Sequence, residues 1–361
     1  MKKVAALGLV AMMLLTGSGY RLGAVAAQDA TPGAGTPGAG EQVKKVAVVT
    51  PASRTNQGWD EQAADALEAV GKQRGIDVEV AENAGYEDIT PILKDLADGG
   101  AQLIICHGAE FQTTCPEFAA EEHVRVAVVE NPDAVNALVS DVETEAQDAA
   151  YLAGALAGKM TKTGTVGIVV SGEPPTWNFM TVGFAEGLKA TKPDAKLLYN
   201  VIGEAAYDDA AGAKRITEQQ LAAGADIIFG MGDGASFGMI QAVDEHNQKP
   251  ENANTKAWFI DVIGDKHKEH GDILLTSVLF DYTGIYDQMI GDIENGTFGK
   301  VYTMNLKNNG VRLLDLPDAV PQDVKDLIAQ TQKDLIAGKI KVDVIGDADP
   351  MHTKLKELFP S

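Results

Sequence analysis

Two stretches of this chain carry the same elements in the same order. Residues 46–108 and 166–232 each read as strand, polar loop, helix, strand, acidic loop, helix, strand. Ala64-Asp-Ala-Leu67 matches Ala185-Glu-Gly-Leu188, and Gly85-Tyr-Glu-Asp88 matches Ala206-Tyr-Asp-Asp209. Gly100-Ala-Gln-Leu-Ile-Ile105 matches Gly224-Ala-Asp-Ile-Ile-Phe229. The offset stays at about 121 to 124 residues, so the correspondence is ordered and nearly gap-free. Near-continuous apolar strands such as residues 165–170 suit a parallel sheet covered on both faces by helices. Strands alternating with helices then give two doubly wound α/β lobes. A cleft between two such lobes is a usual seat for a small molecule.

The 361 residues suffice for two lobes, and 45% apolar residues fit a folded chain. A net charge of −22 argues against a nucleic-acid partner, because phosphate contacts need a basic face. Lys2 and Lys3 precede an apolar run from Val4 to Leu15, and Ala24-Val-Ala-Ala27 offers a small-residue cleavage site. Residues 1–27 therefore read as a signal peptide for export; an uncleaved leader acting as an anchor is the alternative. No Cys near the cleavage site supports a lipid anchor. The Pro-, Gly- and Ala-rich residues 28–42 read as a flexible linker.

The expected division of the rest is a first lobe over 43–142, a second over 143–278, and a return of 279–361 to the first lobe with a hinge crossover. Hinge strands are expected near residues 139–142, 275–279 and 340–344. Residues 301–306 and 311–314 read as a hairpin around Asn308-Asn309-Gly310. Cys106 and Cys115 suit either a disulfide in an exported protein or a buried thiol at a strand end. His107 is adjacent, but nothing completes a metal ligand set.

Ligands of open parallel sheets sit beyond the carboxyl ends of the strands, and the unusual residues of this chain lie there. After the first strand, Trp59 is placed to stack on a flat ligand while Asp60 accepts from ring N–H groups. The plainer alternative makes Trp59 a lid on the helix and Asp60 its N-cap. The equivalent loop of the second half ends in Trp177 and Phe179. Tyr207 follows the next strand, and two aromatic planes from opposite lobes can sandwich a ring. In Gly230-Met-Gly-Asp-Gly234, the glycines, Gly232 among them, let backbone amides approach a ligand, and Asp233 can bind hydroxyls. Asp261 or Asp265 can hold a ribose diol, or serve as solvated loop acids.

One motif points elsewhere. Gly234-Ala-Ser-Phe-Gly238 fits the nucleophile elbow of α/β-hydrolases, with Asp261 and His267 or His270 following in triad order. Gly230–Gly234 separates Ser236 from its strand, and the matching stretch His107-Gly-Ala-Glu-Phe111 has no Ser. An esterase built on Ser236 is the rival reading.

Several stretches together resemble the basic membrane protein family of ABC-transporter substrate-binding proteins, the purine nucleoside receptor group. They are Asn56-Gln-Gly-Trp-Asp-Glu61, the segment from Gly100 to Phe111 with Glu110 in it, and Ala150-Tyr-Leu-Ala-Gly-Ala-Leu-Ala-Gly158. Leu275-Thr-Ser277 and Ile336-Ala-Gly-Lys-Ile-Lys-Val342 complete the set. The resemblance implies a type I periplasmic binding protein fold with a multi-strand hinge, and a non-enzymatic monomer without cofactor. It implies a purine nucleoside or nucleobase as ligand and a membrane ABC permease as partner; a sugar or other small solute on the same fold is the alternative. By position, Trp59 and Tyr207 resemble the stacking aromatics and Asp60 the neighbouring base-reading residue. The expected ligand set is completed by Glu110, Trp177, Phe179, Gly232, Asp233, Asp261, Asp265 and Phe280. The chain departs from the family where its first ribose-binding acid falls on Ile263, and where Phe280-Asp281 replaces a Lys.

Overall fold

The computed structural model describes residues 40–253 and 255–360. The expected signal peptide, residues 1–27, and most of the linker lie outside them. The described chain runs β1 (Lys45–Val49), α1 (Trp59–Arg74), β2 (Asp77–Ala81), α2 (Thr90–Asp98), β3 (Leu103–Cys106), α3 (Thr114–Glu122), β4 (Arg125–Val129) and β5 (Val139–Thr144). It continues with α4 (Ala146–Met160), β6 (Thr165–Val170), α5 (Pro175–Thr191), β7 (Lys196–Val201), α6 (Ala210–Ala222), β8 (Ile227–Met231), α7 (Ser236–Gln248), β9 (Trp258–Ile263) and α8 (His267–His270). The last elements are β10 (Leu274–Phe280), α9 (Thr283–Asn295), β11 (Val301–Met304), β12 (Val311–Leu313), α10 (Gln322–Ile336) and α11 (Ala348–Leu358).

Two six-stranded sheets result, in the orders β2-β1-β3-β4-β5-β11 and β7-β6-β8-β9-β10-β12. The repeat in sequence is thus a repeat in topology. Every pairing is parallel except that of β10 with the edge strand β12. The inner strands β3, β4 and β8 are buried at every position, as a sheet covered on both faces requires. The edge strands β2 and β7 are only partly buried. In each sheet the order reverses between the first strand and its inner neighbour, β1/β3 and β6/β8. Such a reversal leaves a crevice at the carboxyl ends of the strands.

The chain crosses between lobes after β5, after β10 and after β11. The expected return of residues 279–361 to the first lobe needs correction: α9 and β11 lie there, but β12 pairs with β10. Helices α10 and α11 pack on α4 and α5 of the second lobe. The expected hairpin over 301–314 is likewise absent, because its arms join different sheets. Asn308-Asn309-Gly310 is the turn of an interlobe crossover, with the Gly310 carbonyl accepting from Asp281 N at 2.8 Å. Residues 340–344 form no strand. Their alternating apolar side chains, Ile340 and Val342, instead rest against the core.

Candidate ligand-binding cleft

A cavity lies beyond the carboxyl ends of β1 and β3 in one lobe and β6 and β8 in the other. It encloses about 730 Å³ of non-atom space, its open mouth included. The first lobe supplies Trp59, Asp60, Tyr86, Glu110 and Glu130; the second supplies Pro174, Thr176, Trp177, Tyr207, Asp208 and Asp233.

Trp59 is held on several sides. Its indole Nε1 donates to the His107 carbonyl at 3.1 Å, and the ring stacks on the His107 imidazole at 4.2 Å and 26°. Burial pushes His107 down to about 3, so the imidazole is neutral and serves as an apolar-faced backing. The backbone N–H of Trp59, the first residue of α1, donates across the cleft to Asp233 Oδ1 at 3.3 Å. A carboxylate at a helix N-terminus satisfies an otherwise orphaned donor and meets the positive end of the helix dipole.

Asp60 does not act as N-cap; that position is Gly58. Its buried carboxylate accepts from Ala52 N at 3.0 Å and from Asn56 Nδ2 at 2.6 Å, folding the β1–α1 loop back on itself. Burial holds its pKa above the ordinary carboxylate range, against those hydrogen bonds. Asp60 therefore lines the cavity and shapes the loop that presents Trp59.

The second-lobe wall is built differently. Trp177 is buried on α5 and meets Tyr207 edge-to-face at 5.4 Å and 76°. Asp233 adopts a left-handed φ of 41° in the turn after β8. Burial, then the nearby Asp60 charge, pushes its pKa up to about 7.

The lobes also touch beside the cavity. Lys266 Nζ donates to the Gln57 carbonyl at 2.9 Å. Gly264 passes so near that a Cβ there would lie 2.1 Å from the same Gln57 oxygen. On the far side, the Thr176 hydroxyl donates to Glu130 Oε1.

Five expected site residues lie outside the cavity lining. Phe179 is two positions beyond Trp177 on α5, so the helical turn points it away from the cavity, and it packs against Gly346. Asp261 is fully buried in an ion pair with Lys266 at 2.6 Å. Asp265 is exposed and accepts from His267 N at 2.8 Å. Phe280 is buried at the end of β10 against Tyr282. Gly232 is in the turn after β8, where a Cβ would meet Met239 and Ala235; it shapes the turn and does not line the cavity. The Ser236 hydroxyl is buried with no hydrogen-bond partner among the described residues, so neither His267 nor His270 stands beside it as a base.

Sequence reasoning passed over Tyr86, Glu130 and Asp208 as site residues. Tyr86 was signalled by the repeat, since it aligns with Tyr207, and both line the cavity. Glu130 closes β4 with a left-handed φ of 56°. Burial, then the charge of Asp141, pushes its pKa up to about 7. Cys106 and Cys115 form a disulfide, resolving the alternatives left by the sequence, and close the loop that carries Glu110.

Residues 43–344 match the family described as Bmp, ABC transporter substrate-binding protein PnrA-like. Among curated relatives, the ABC transporter nucleoside-binding protein BmpA of Lactococcus lactis is 25% identical over 305 residues, covering 77% of this chain and 84% of the relative. A solute-binding protein of an ABC transporter system from Aeropyrum pernix K1 superposes with a TM-score of 0.74 at 19% identity, over 88% of this chain and 97% of its own. One from Conexibacter woesei superposes with a TM-score of 0.70 at 22% identity, over 84% and 100%.

Proposed function

Because the chain belongs to the Bmp family of PnrA-like ABC transporter substrate-binding proteins, we propose that it captures a purine nucleoside or nucleobase outside the cytoplasm and hands it to a membrane permease. One observation carries this reading: aromatic rings from opposite lobes, Trp59 on one side and Tyr207 with Trp177 on the other, line a single cavity at both strand-order reversals. A flat ring between them loses water on both faces, and each aromatic pair adds about 0.5–1.5 kcal/mol beyond area burial. Glu110 and Asp208 reach the cavity from opposite lobes and accept hydrogen bonds from ligand N–H or hydroxyl groups. They take the role that Asp261 and Asp265, away from the cavity, cannot fill. The nucleoside named for the Lactococcus relative supports the choice of ligand class. Among the described residues no helix is long and apolar enough to cross a membrane.

A thermal-shift screen over nucleosides, bases and sugars tests the reading. A ligand at a hundred times its dissociation constant adds about 2.7 kcal/mol of stability. Stabilisation by purines and not by sugars is expected. Stabilisation by sugars alone overturns it.

A further inference from the structure

We propose that the cavity selects a flat heteroaromatic cation over its uncharged counterpart. This deepens the nucleoside reading and rests on the same aromatic walls.

Five carboxylates line the cavity: Asp60, Glu110 and Glu130 from the first lobe, Asp208 and Asp233 from the second. No Lys, Arg or His is among the lining residues. The nearby buried cation, Lys266, is committed to Asp261 at 2.6 Å and to the Gln57 carbonyl at 2.9 Å. Its charge offsets part of the shift at Asp233, and no cationic side chain lines the cavity itself among the described residues. Carboxylates gathered in a partly dry space repel one another, and a cation placed among them relieves that repulsion. Burial is the main reason that Glu130 and Asp233 hold their protons up to about pH 7; the charges of Asp60 and Asp208 add to it at Asp233, and that of Asp141, outside the cavity, at Glu130.

One further feature points the same way. The cavity presents the rings of Trp59, Tyr86, Trp177 and Tyr207, whose electron-rich faces attract cations. A ligand anion, by contrast, meets no complementary charge.

Calorimetric titration of the protein with two matched pairs tests this: adenosine against 1-methyladenosine, and nicotinamide against 1-methylnicotinamide, at neutral pH. Each pair differs by a methyl group and a positive charge. The expected result is at least tenfold tighter binding of the cation in one pair or both. That preference should fall at least threefold in Glu130→Gln and in Asp208→Asn, with folding checked by circular dichroism. A preference unchanged in both variants overturns the charge assignment. If adenosine binds and neither cation exceeds its neutral partner, charge selection is wrong and the nucleoside reading stands. If only 1-methylnicotinamide binds, charge selection stands and the nucleoside reading fails. If none of the four binds, both fail.

Discussion

The two walls of the cleft descend from one repeat yet are held in place by different forces. The first-lobe wall is fixed by polar contacts. The Trp59 indole is bonded to His107, its backbone to Asp233, and its loop to Asp60 and Lys266. The second-lobe wall is fixed by packing. Trp177 and Tyr207 meet edge-to-face, and neither ring has a hydrogen bond to protein among the described residues. Hydrogen bonds set the angle of a ring through directional contacts, whereas apolar packing resists only overlap and voids. Two of the polar anchors of the first wall, Asp233 and Lys266, belong to the opposite lobe. The first wall therefore draws its polar contacts from both lobes, whereas the rings of the second pack within their own lobe and only the neighbouring Thr176 bonds across, to Glu130.

The strongest test of that asymmetry removes Lys266. In Lys266→Ala the fully buried Asp261 loses its cation and the Gln57 carbonyl its donor. Breaking a buried pair by taking one partner costs about 3–5 kcal/mol. Denaturant unfolding should show that loss, with a shifted Trp59 fluorescence in a background where Trp177 and Trp258 are replaced by Phe. An unperturbed Trp59 signal would mean that the Lys266 contact with Gln57 does not hold the first wall.

Next in size is the disulfide, which the second lobe does not have. Cys106 and Cys115 are nine positions apart. Crosslinking a loop of that order stabilises by about 2–3 kcal/mol. The Cys106→Ala/Cys115→Ala double variant should lose that amount in chemical denaturation, and hydrogen exchange should rise around Glu110 while residues 230–234 keep their protection. Equal loosening of both segments would erase the contrast.

The aromatic rings come third. Trp59→Ala should weaken purine binding at least tenfold, about 1.4 kcal/mol. Tyr207→Ala should cost less, since Trp177 remains behind it as an apolar surface. Calorimetry giving the reverse order would place the main stacking face on the second lobe.

Much of the architecture was legible because it depends on local pattern. Continuous apolar runs gave the buried strands, and the repeat gave two like lobes. What failed in the sheets depended on distant partners. Ile340-Lys-Val-Asp-Val344 alternates like a strand, but no sheet edge accepts it. The turn signal at Asn308-Asn309-Gly310 sets residues 311–314 beside 301–306, yet β10 provides the partner of β12. In the cleft, Phe179 was misjudged because two residues on a helix face nearly opposite ways. Asp261 was misjudged because its cation, Lys266, reaches it only through the fold after β9. Tyr86, by contrast, was recoverable from its alignment with Tyr207.

The smallest expected effect concerns pH, and it probes the acids that join the walls. Glu130 and Asp233 titrate near pH 7 when folded, far above the ordinary carboxylate range near 4. Between those values the folded chain holds protons that the unfolded chain has released. Folding stability from these groups is therefore full below about pH 4 and declines as pH rises toward 7. Glu143, pushed up to about 7 by burial and then by Asp141, acts in the same direction. Lys266 near Asp233 offsets part of the effect, while Asp60 and Asp208 reinforce it. Calorimetric melting of the ligand-free protein should give a Tm a few degrees higher at pH 5.5 than at pH 8, since about 1 kcal/mol moves Tm by roughly 2–4 °C in a chain of this size class. Glu130→Gln should flatten that slope, because its amide carries no charge to suppress. A slope unchanged in Glu130→Gln would locate the pH response outside the contact between Glu130 and Thr176, leaving Glu143 and Asp233, the latter bonded to Trp59 across the cleft, as its sources.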